Sequence, residues 1–458
     1  MKIAAFILLF SLISSCSSAS NGESASSSDS SVNTNIPPLT DQEALDQVQK
    51  DALKYFWDYA ESNSKLARER YLVDDPDFEK NKVTTGGSGF GLMTLIVGVE
   101  RGFIPRAEAV SRMTTAMQFL QKADRFHGAW AHWMDGATGK AISFGGKDNG
   151  GDIVETAFLS QGLITVREYF KNGSEAEKNL AKLADELWKG VEWSWYTNGE
   201  NAMYWHWSPT YEWEMKFKLE GYNECLIAYI LGAASTTHPI PTAAYHEGWA
   251  RSGAIKSTKT QLDIPLLFQY NTVSGDVGPL FWAQYSYLGL DPSQLVDQYA
   301  NYGDLTQNHA KIMHKYAVEN PKKWNGYSDS VWGLTASYTR NADGSTGYAA
   351  HDTDSDFGVI TPTAALSSFP YTPEESMKFL HYIYGEKRNQ YVGKAGPYDA
   401  FSPHYSWVTK RYLAIDQGTI APMIENYRSG LLWKLFMNAP EVKPALTELG
   451  FHSSKYNF

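Results

Sequence analysis

Two apolar patterns alternate along most of this chain. In stretches such as LMTLIVGV at 92–99 and the run 151–170, nearly every position is apolar. In others, such as 106–123 and 174–193, apolar residues recur about every 3.6 positions among Glu and Lys pairs. A helix that is apolar all round must be buried, whereas a one-sided helix covers it. Further apolar starts fall at Asn223 (NECLIAYILGAAS), Gly278 (GPLFWAQYSYLGL), Trp332 (WGLTAS), Pro362 (PTAALSSF) and Ile415. This alternation predicts two concentric helical layers, an all-α fold built as an (α/α) toroid of helical hairpins with active-site loops at one rim. Each unit reads as a loop rich in glycine or aromatics, a buried helix, a turn and a charged helix; residues 86–91 form the first such loop. The domain opens at a capping box, Thr40 with Glu43, ahead of the apolar set Leu45, Val48, Ala52, Phe56 and Tyr59. Residues 195–219, dense in Trp, Tyr and charge, predict a small irregular or β-rich insert.

The densest chemistry sits in DNGGDIVETAFLSQGL, 148–163, where a polar glycine turn runs into an apolar helix. Asp152 and Glu155 are three positions apart, so a helix starting near Gly151 sets both on one face of its first turn, with Asp148 just ahead. A helix N-terminus welcomes carboxylates, and capping alone accounts for one of them. Three where one suffices points to acid/base chemistry, which needs carboxyls in contrasting environments. Glu224, heading the apolar run in GYNECLIAYI, and Asp416, in AIDQG, repeat the placement. A charge at the mouth of a buried helix must be paired, hydrogen-bonded or functional.

Composition narrows the ligand. The 458 residues, 43% hydrophobic, are ample for a large core, and length alone suggests about three domains. The unbroken alternation argues for one, at 37–458. A formal net charge of −11 disfavours nucleic acid. Rings crowd the same loops as the acids: His127, Trp130, His132 and Trp133 in HGAWAHWMDG, Trp205, His206 and Trp207 in YWHWSP, and Phe281, Tyr285, Trp332 and Tyr348 near other helix entrances. Rings for the apolar faces of sugars, with acids for the glycosidic oxygen and water, make a saccharide cleft.

Other chemistries lack their residues. The glycines at 86–91 mimic a phosphate loop, but no strand pattern precedes them. HDTDSDFG at 351–358 spaces Asp352, Asp354 and Asp356 like a calcium loop, yet puts Phe357 where Gly is needed and lacks the closing Glu; a substrate loop is the better reading. No HExxH, CxxC or GxSxG occurs, so neither metal nor cofactor is expected. At the N-terminus, Lys2 and the apolar run 3–13 predict a secretory signal over 1–15, and ISSC resembles a bacterial lipobox with Cys16 as the lipidated thiol. Residues 16–36 read as a polar tether, leaving a lipid anchor as the domain's link to a periplasmic or outer-membrane location. Cys225, in an apolar run, reads as a buried hydrophobe, and a monomer is expected.

Five blocks, DNGGDIVETAFLSQGL, GYNECLIAYILGAASTTH, GPLFWAQYSYLGLDP, TPTAALSSFPYTPE and AIDQGTIAPMIENYRSGLLWKLF, resemble the glucoamylase-like domain of glycoside hydrolase family 144. The likeness runs from about residue 45 to 436. It implies a six-hairpin (α/α) toroid that hydrolyses β-1,2-glucan with inversion, either internally or by releasing sophorose from an end. It carries the family's acids onto Asp148, Asp152, Glu155, Glu224 and Asp416. A His common in the family pattern is Gln284 here, a departure at one subsite. On this reading Glu224 is the acid, kept protonated near neutrality by its apolar surroundings. Asp416 or Asp152 is the base, since inversion needs about 6.5–9.5 Å between carboxyls, a span that different helices meet more readily than one turn. Two rivals remain. A non-catalytic glycan-binding lipoprotein uses the rings without the acids, and a polysaccharide lyase uses Tyr and His on polyuronates, for which an acidic protein is a poor host.

Overall fold

The structure, a computed structural model, describes residues 39–270 and 276–458. The expected signal, Cys16 and the tether lie outside the described residues. In chain order the helices are α1 (Asp41–Asp58), α2 (Thr85–Glu100), α3 (Arg106–Lys122), α4 (Ile153–Phe170), α5 (Glu175–Lys189), α6 (Leu226–Ala234), α7 (Tyr302–Glu319), α8 (Pro362–Leu366), α9 (Pro373–Tyr384), α10 (Arg388–Tyr391), α11 (Ala414–Arg428), α12 (Leu431–Met437) and α13 (Val442–Glu448). The Thr40–Glu43 capping box opens α1, each side chain accepting from the other's backbone N–H.

Burial follows the alternation. Helices α2, α4, α6 and α11 are buried almost all round, whereas α3, α5 and α9 bury one stripe each. Helix α2 packs against α4 and α11, α4 against α5 and α6, and α11 against α1 and α8. Described strands span five residues or fewer and pair in twos or threes at the helix entrances. The frame is helix-rich, and Cys225 is buried as expected. The 195–219 stretch holds the end of a 3-10 turn, the two-residue strand His206–Trp207 and isolated bridges such as Tyr204 to Lys218.

Three expectations change. The glycines at 86–91 are the first turns of α2, not a loop, and the strand Lys82–Thr84 precedes them. Their reason is contact: a Cβ on Gly89 would lie 2.3 Å from the Phe158 carbonyl oxygen, and one on Gly162 2.4 Å from that of Gly89. Glycine forgoes roughly 1 kcal/mol of helix propensity at each position, and in return two backbones meet directly. The run from Gly278 forms two 3-10 turns, Leu280–Ala283 and Tyr285–Tyr287, because its rings serve different neighbours: Trp282 lies over Tyr270 while Tyr285 points to Asp416. Near Trp332 there is no helix either. Gly333 adopts φ +126, a value closed to other residues, and the chain enters the hairpin of Ala336–Arg340 with Thr346–Ala350.

Gly89→Val should destabilise the fold by about 1–3 kcal/mol or prevent folding, since backbone cannot yield as a side chain can. Thermal denaturation beside Gly145→Ala, whose added methyl meets nothing within 4 Å, checks this.

Candidate active site

The entrance of α4 fixes three acids. Asp152 caps the helix through Oδ1, which accepts from the N–H groups of Val154 (3.0 Å) and Glu155 (2.9 Å). Its Oδ2 accepts from His132 Nδ1 at 2.8 Å and Trp205 Nε1 at 3.0 Å. The capping and the functional readings of Asp152 therefore hold together: one oxygen holds the helix, the other orients two rings. Glu155 Oε2 accepts from the Gly86 N–H at 2.7 Å and the Thr84 hydroxyl at 3.3 Å, and its Oε1 lies 4.0 Å from His132 Nε2. This carboxylate occupies the N-terminus of α2, where a phosphate loop would have held its ligand. Asp148, buried ahead of the helix, leaves Oδ1 without a donor.

These groups perturb one another. Burial pushes the Asp148 carboxyl up to about 6, aided by the charge of Asp152 and opposed by His132 and His206. Burial also raises Glu155, with His132 opposing it. Burial by itself lowers His132, but Glu155, its bond to Asp152 and the charges of Asp152 and Asp148 outweigh that and carry it to about 9. The ring is thus an imidazolium at neutral pH, stacked on Phe144 at 3.9 Å. His132, Asp148 and Asp152 place one donor atom each within 4.8 Å of one another, a spacing that suits a metal ion. The imidazolium already supplies the balancing cation there, with its Nδ1 proton committed to Asp152.

Glu224 immediately precedes Cys225, the N-cap of α6, and keeps a partial opening to solvent. Burial nonetheless pushes its carboxyl up to about 7, and the charges of Glu155 and Asp152 add to the rise. Asp416, in the first turn of α11, is buried; its Oδ1 accepts from the Tyr285 hydroxyl at 3.2 Å. A residue that sequence reasoning missed faces it. Asp399 is buried, its Oδ2 accepts from the Tyr338 N–H at 2.8 Å, and its carboxyl is near enough to that of Asp416 to shift it. Asp399 Oδ1 and Asp416 Oδ2 are buried without a hydrogen-bond partner among the described residues. Burial raises both carboxyls; the charge of Asp399 raises Asp416 further, whereas Asp416 opposes the rise of Asp399. Tyr348 is 53% exposed along its length, yet burial of its hydroxyl and the charges of Asp416 and Asp399 hold that group well above the ordinary phenol range.

The expected sugar contacts divide. Trp205, Tyr285 and His132 touch the acids directly, and Phe281 packs on Tyr285 at 4.8 Å. Trp207 is part of a partly exposed ring group, with His127 stacked on Trp195 at 3.6 Å. Trp130 and Trp332 are core residues with no exposed face, donating to the carbonyls of Leu120 and Glu375, so neither can stack on a sugar. His206 is buried with Nε2 bonded to the Lys147 carbonyl, a structural role. In the 351–358 loop, Asp352 accepts from the N–H groups of Asp354 and Ser355, and Asp356 from two tyrosines and Gly358, so these carboxylates tie down a loop that exposes Phe357.

Known proteins share this fold and much of this sequence. Residues 216–440 match the family model described as "Putative glucoamylase". Over 430 residues, 90% of this chain, the sequence is 42% identical to the exo β-1,2-glucooligosaccharide sophorohydrolase (non-reducing end) of Parabacteroides distasonis. The chain spans 58% of the length of that curated relative. The endo-β-1,2-glucanase of Chitinophaga pinensis, solved with sophorotriose and glucose, is 53% identical with a TM-score of 0.88, covering 91% of this chain and 100% of that one. The β-1,2-glucanase of Parabacteroides distasonis is 41% identical with a TM-score of 0.83, covering 90% of this chain and 60% of that one. This chain belongs to the glucoamylase-like glycoside hydrolases of family 144.

Folding binds the His132 proton more tightly than the unfolded chain does, so the pairing stabilises fully below about pH 6.5 and is lost as pH rises through about 9. Wild type should exceed His132→Gln in stability by on the order of 2–3 kcal/mol near pH 6, the gap closing by pH 9 to 10; denaturant titrations across that range measure it.

Proposed function

We propose that this chain hydrolyses β-1,2-glucan with inversion, Glu224 protonating the glycosidic oxygen and Asp416 activating water. The observation that carries the reading is the contrast between two desolvated acids at the entrances of different helices: Glu224, raised to about 7 and facing anions, and Asp416, buried beside the Asp399 carboxyl, whose charge raises it. The β-1,2-glucan-degrading relatives support the substrate. Asp152 and Glu155 then position His132 and Trp205 and bias Glu224 toward its protonated form. The same reading extends the fold to an (α/α) toroid of six hairpins. Its buried layer is α2, α4, α6, the 3-10 turns at 280–287, α8 and α11, and its outer layer is α1, α3, α5, the turn Ala244–Trp249, α7 and α9. It also extends to an enzyme anchored outside the cytoplasm by lipid on Cys16, supported by the 1–15 signal pattern; the mass of the mature N-terminal peptide checks that.

Glu224→Gln should lower kcat/KM on linear β-1,2-glucan by about 10³-fold or more while leaving product binding nearly intact. Chromatography of wild-type products gives sophorose alone from the first minutes for exo action, or an oligomer ladder for endo action. Proton NMR of the first anomer released gives α for inversion. No product from wild type, with binding retained, would return the chain to a glycan-binding role.

The Asp399 carboxyl beside Asp416 makes a second test. Asp399→Asn replaces a repelling carboxyl with a neutral hydrogen-bond donor, so Asp416 ionises more easily and the acidic limb of the kcat/KM profile should move down by about one pH unit or more. The alkaline limb, set by Glu224, should stay near 7. An acidic limb that does not move would show that the two carboxyls titrate independently.

A further inference from the structure

The strands Arg70–Leu72 and Arg411–Leu413 pair antiparallel, with Tyr71 opposite Tyr412, and they form a wall with two faces. Successive side chains of a strand point to opposite sides. On one side Arg70 and Arg411 lie over the Tyr338 ring, at 5.9 and 5.2 Å, and Tyr338 donates its N–H to Asp399. That is the side of the carboxyl pair. On the other side Tyr71 and Tyr412 line a cavity of about 570 Å³, closed by α1, the Val392–Gly393 segment and Tyr398. Its volume lies within the roughly 300–1,000 Å³ of small-molecule sites.

The lining of this second cavity is built from phenols and cations. Tyr59 stacks on Tyr71 with ring centres 4.1 Å apart, and Tyr398 lies 5.4 Å from Tyr412. Among the described residues, none of the hydroxyls of Tyr59, Tyr71 and Tyr398 has a hydrogen-bond partner; the Tyr412 hydroxyl reaches the Gly396 carbonyl at 3.4 Å. The floor is Asp51, 2% exposed, bridged by Lys54 at 2.7 Å and Arg388 at 3.4 Å. With Lys394 exposed at the mouth, three cations face one carboxylate. In a chain of formal net charge −11 this is a local excess of positive charge. Gly393 keeps the space open, since a Cβ there would lie 2.2 Å from the Tyr412 hydroxyl oxygen and 2.7 Å from the Tyr398 ring.

We propose that this cavity is a second saccharide site, separate from the glucan cleft and selective for a sugar that carries a negative group. The partly exposed Tyr59 and Tyr398 rings offer apolar surface to the sugar ring, and the free hydroxyls of Tyr59, Tyr71 and Tyr398 meet its hydroxyls. The surplus cations, Lys394 and whichever of Lys54 and Arg388 Asp51 does not neutralise, take the anionic substituent. A neutral sugar leaves that charge unmatched, and a bare anion leaves the rings and hydroxyls unused.

The test is calorimetric titration of the soluble domain with glucose 6-phosphate, inorganic phosphate and sophorose. Glucose 6-phosphate should bind at least about tenfold more tightly than inorganic phosphate, with the same affinity when sophorose is saturating. Lys394→Ala, a change at an exposed side chain, and Gly393→Ala, which fills the space, should each weaken it by about tenfold or more. Equal affinity for inorganic phosphate would make this a simple anion site and overturn the proposal. Displacement by sophorose would assign the ligand to the glucan cleft, and indifference to Lys394→Ala would place it elsewhere. Absence of binding would also overturn it. Because the readout is binding and not hydrolysis, these outcomes are independent of the catalytic assignment.

Discussion

The bond from the Gly86 N–H to Glu155 exists only because α2 and α4 touch backbone to backbone. Any side chain at Gly89 or Gly162 would push the helices apart and carry Gly86 and Thr84 away from the α4 entrance. Their contact fixes Glu155 and removes water from it. A desolvated Glu155 and a fully buried Asp152 then act on Glu224 across the site through charge, which helps hold that carboxyl near 7. Packing at the glycines therefore reaches the chemistry in two steps, first geometric and then electrostatic.

The acids of this site are stabilised by two different devices. At the α4 entrance, Asp148, Asp152 and Glu155 surround one imidazolium, and its charge offsets what burial would otherwise cost. At the α11 entrance, among the described residues, the Tyr285 hydroxyl is the one side-chain donor to Asp416, and burial beside the Asp399 charge makes that carboxyl take up a proton more readily. In the first device the His132 cation persists up to about pH 9, which suits positioning. The second gives a charge that can accept a proton, which suits a base. Contrasting solutions within one site are what acid/base division of labour requires.

The buried and one-sided helices were legible in the sequence because hydrophobic periodicity is a local property. So were the carboxylates of the apolar helix mouths, Asp152, Glu155, Glu224 and Asp416, since an acid next to an apolar run is conspicuous. Asp399 carried no such signal: it follows Pro397-Tyr398 ahead of a short strand, and only the tertiary fold brings it to Asp416. Trp130 and Trp332 show the converse failure. Their neighbours in sequence are those of rim residues, but burial is decided by what packs from elsewhere, and both indoles spend their N–H groups on core carbonyls. The glycines at 86–91 read as a loop because propensity sees only the lost side chains, whereas their purpose lies on the facing helix.

The wall between the carboxyl pair and the second cavity bears on how the two sides could work together. Its strand Arg411–Leu413 runs directly into α11, and the Ala414 N–H donates to the Glu69 carbonyl, so the ladder is pinned to the helix that carries Asp416. A ligand shifts a conformational balance only by its differential affinity for two states. A short ladder tied at both strands to a buried helix offers one arrangement. Under the proposal of a second saccharide site, its physical use is retention: a chain held there by a substituted residue keeps its neighbouring units at high local concentration beside the acids, by the arithmetic of linked binding. Retention of this kind leaves the carboxyl pair behind the wall unaltered, because Tyr71 and Tyr412 face the cavity while Arg70 and Arg411 face Tyr338 on the side of the carboxyl pair.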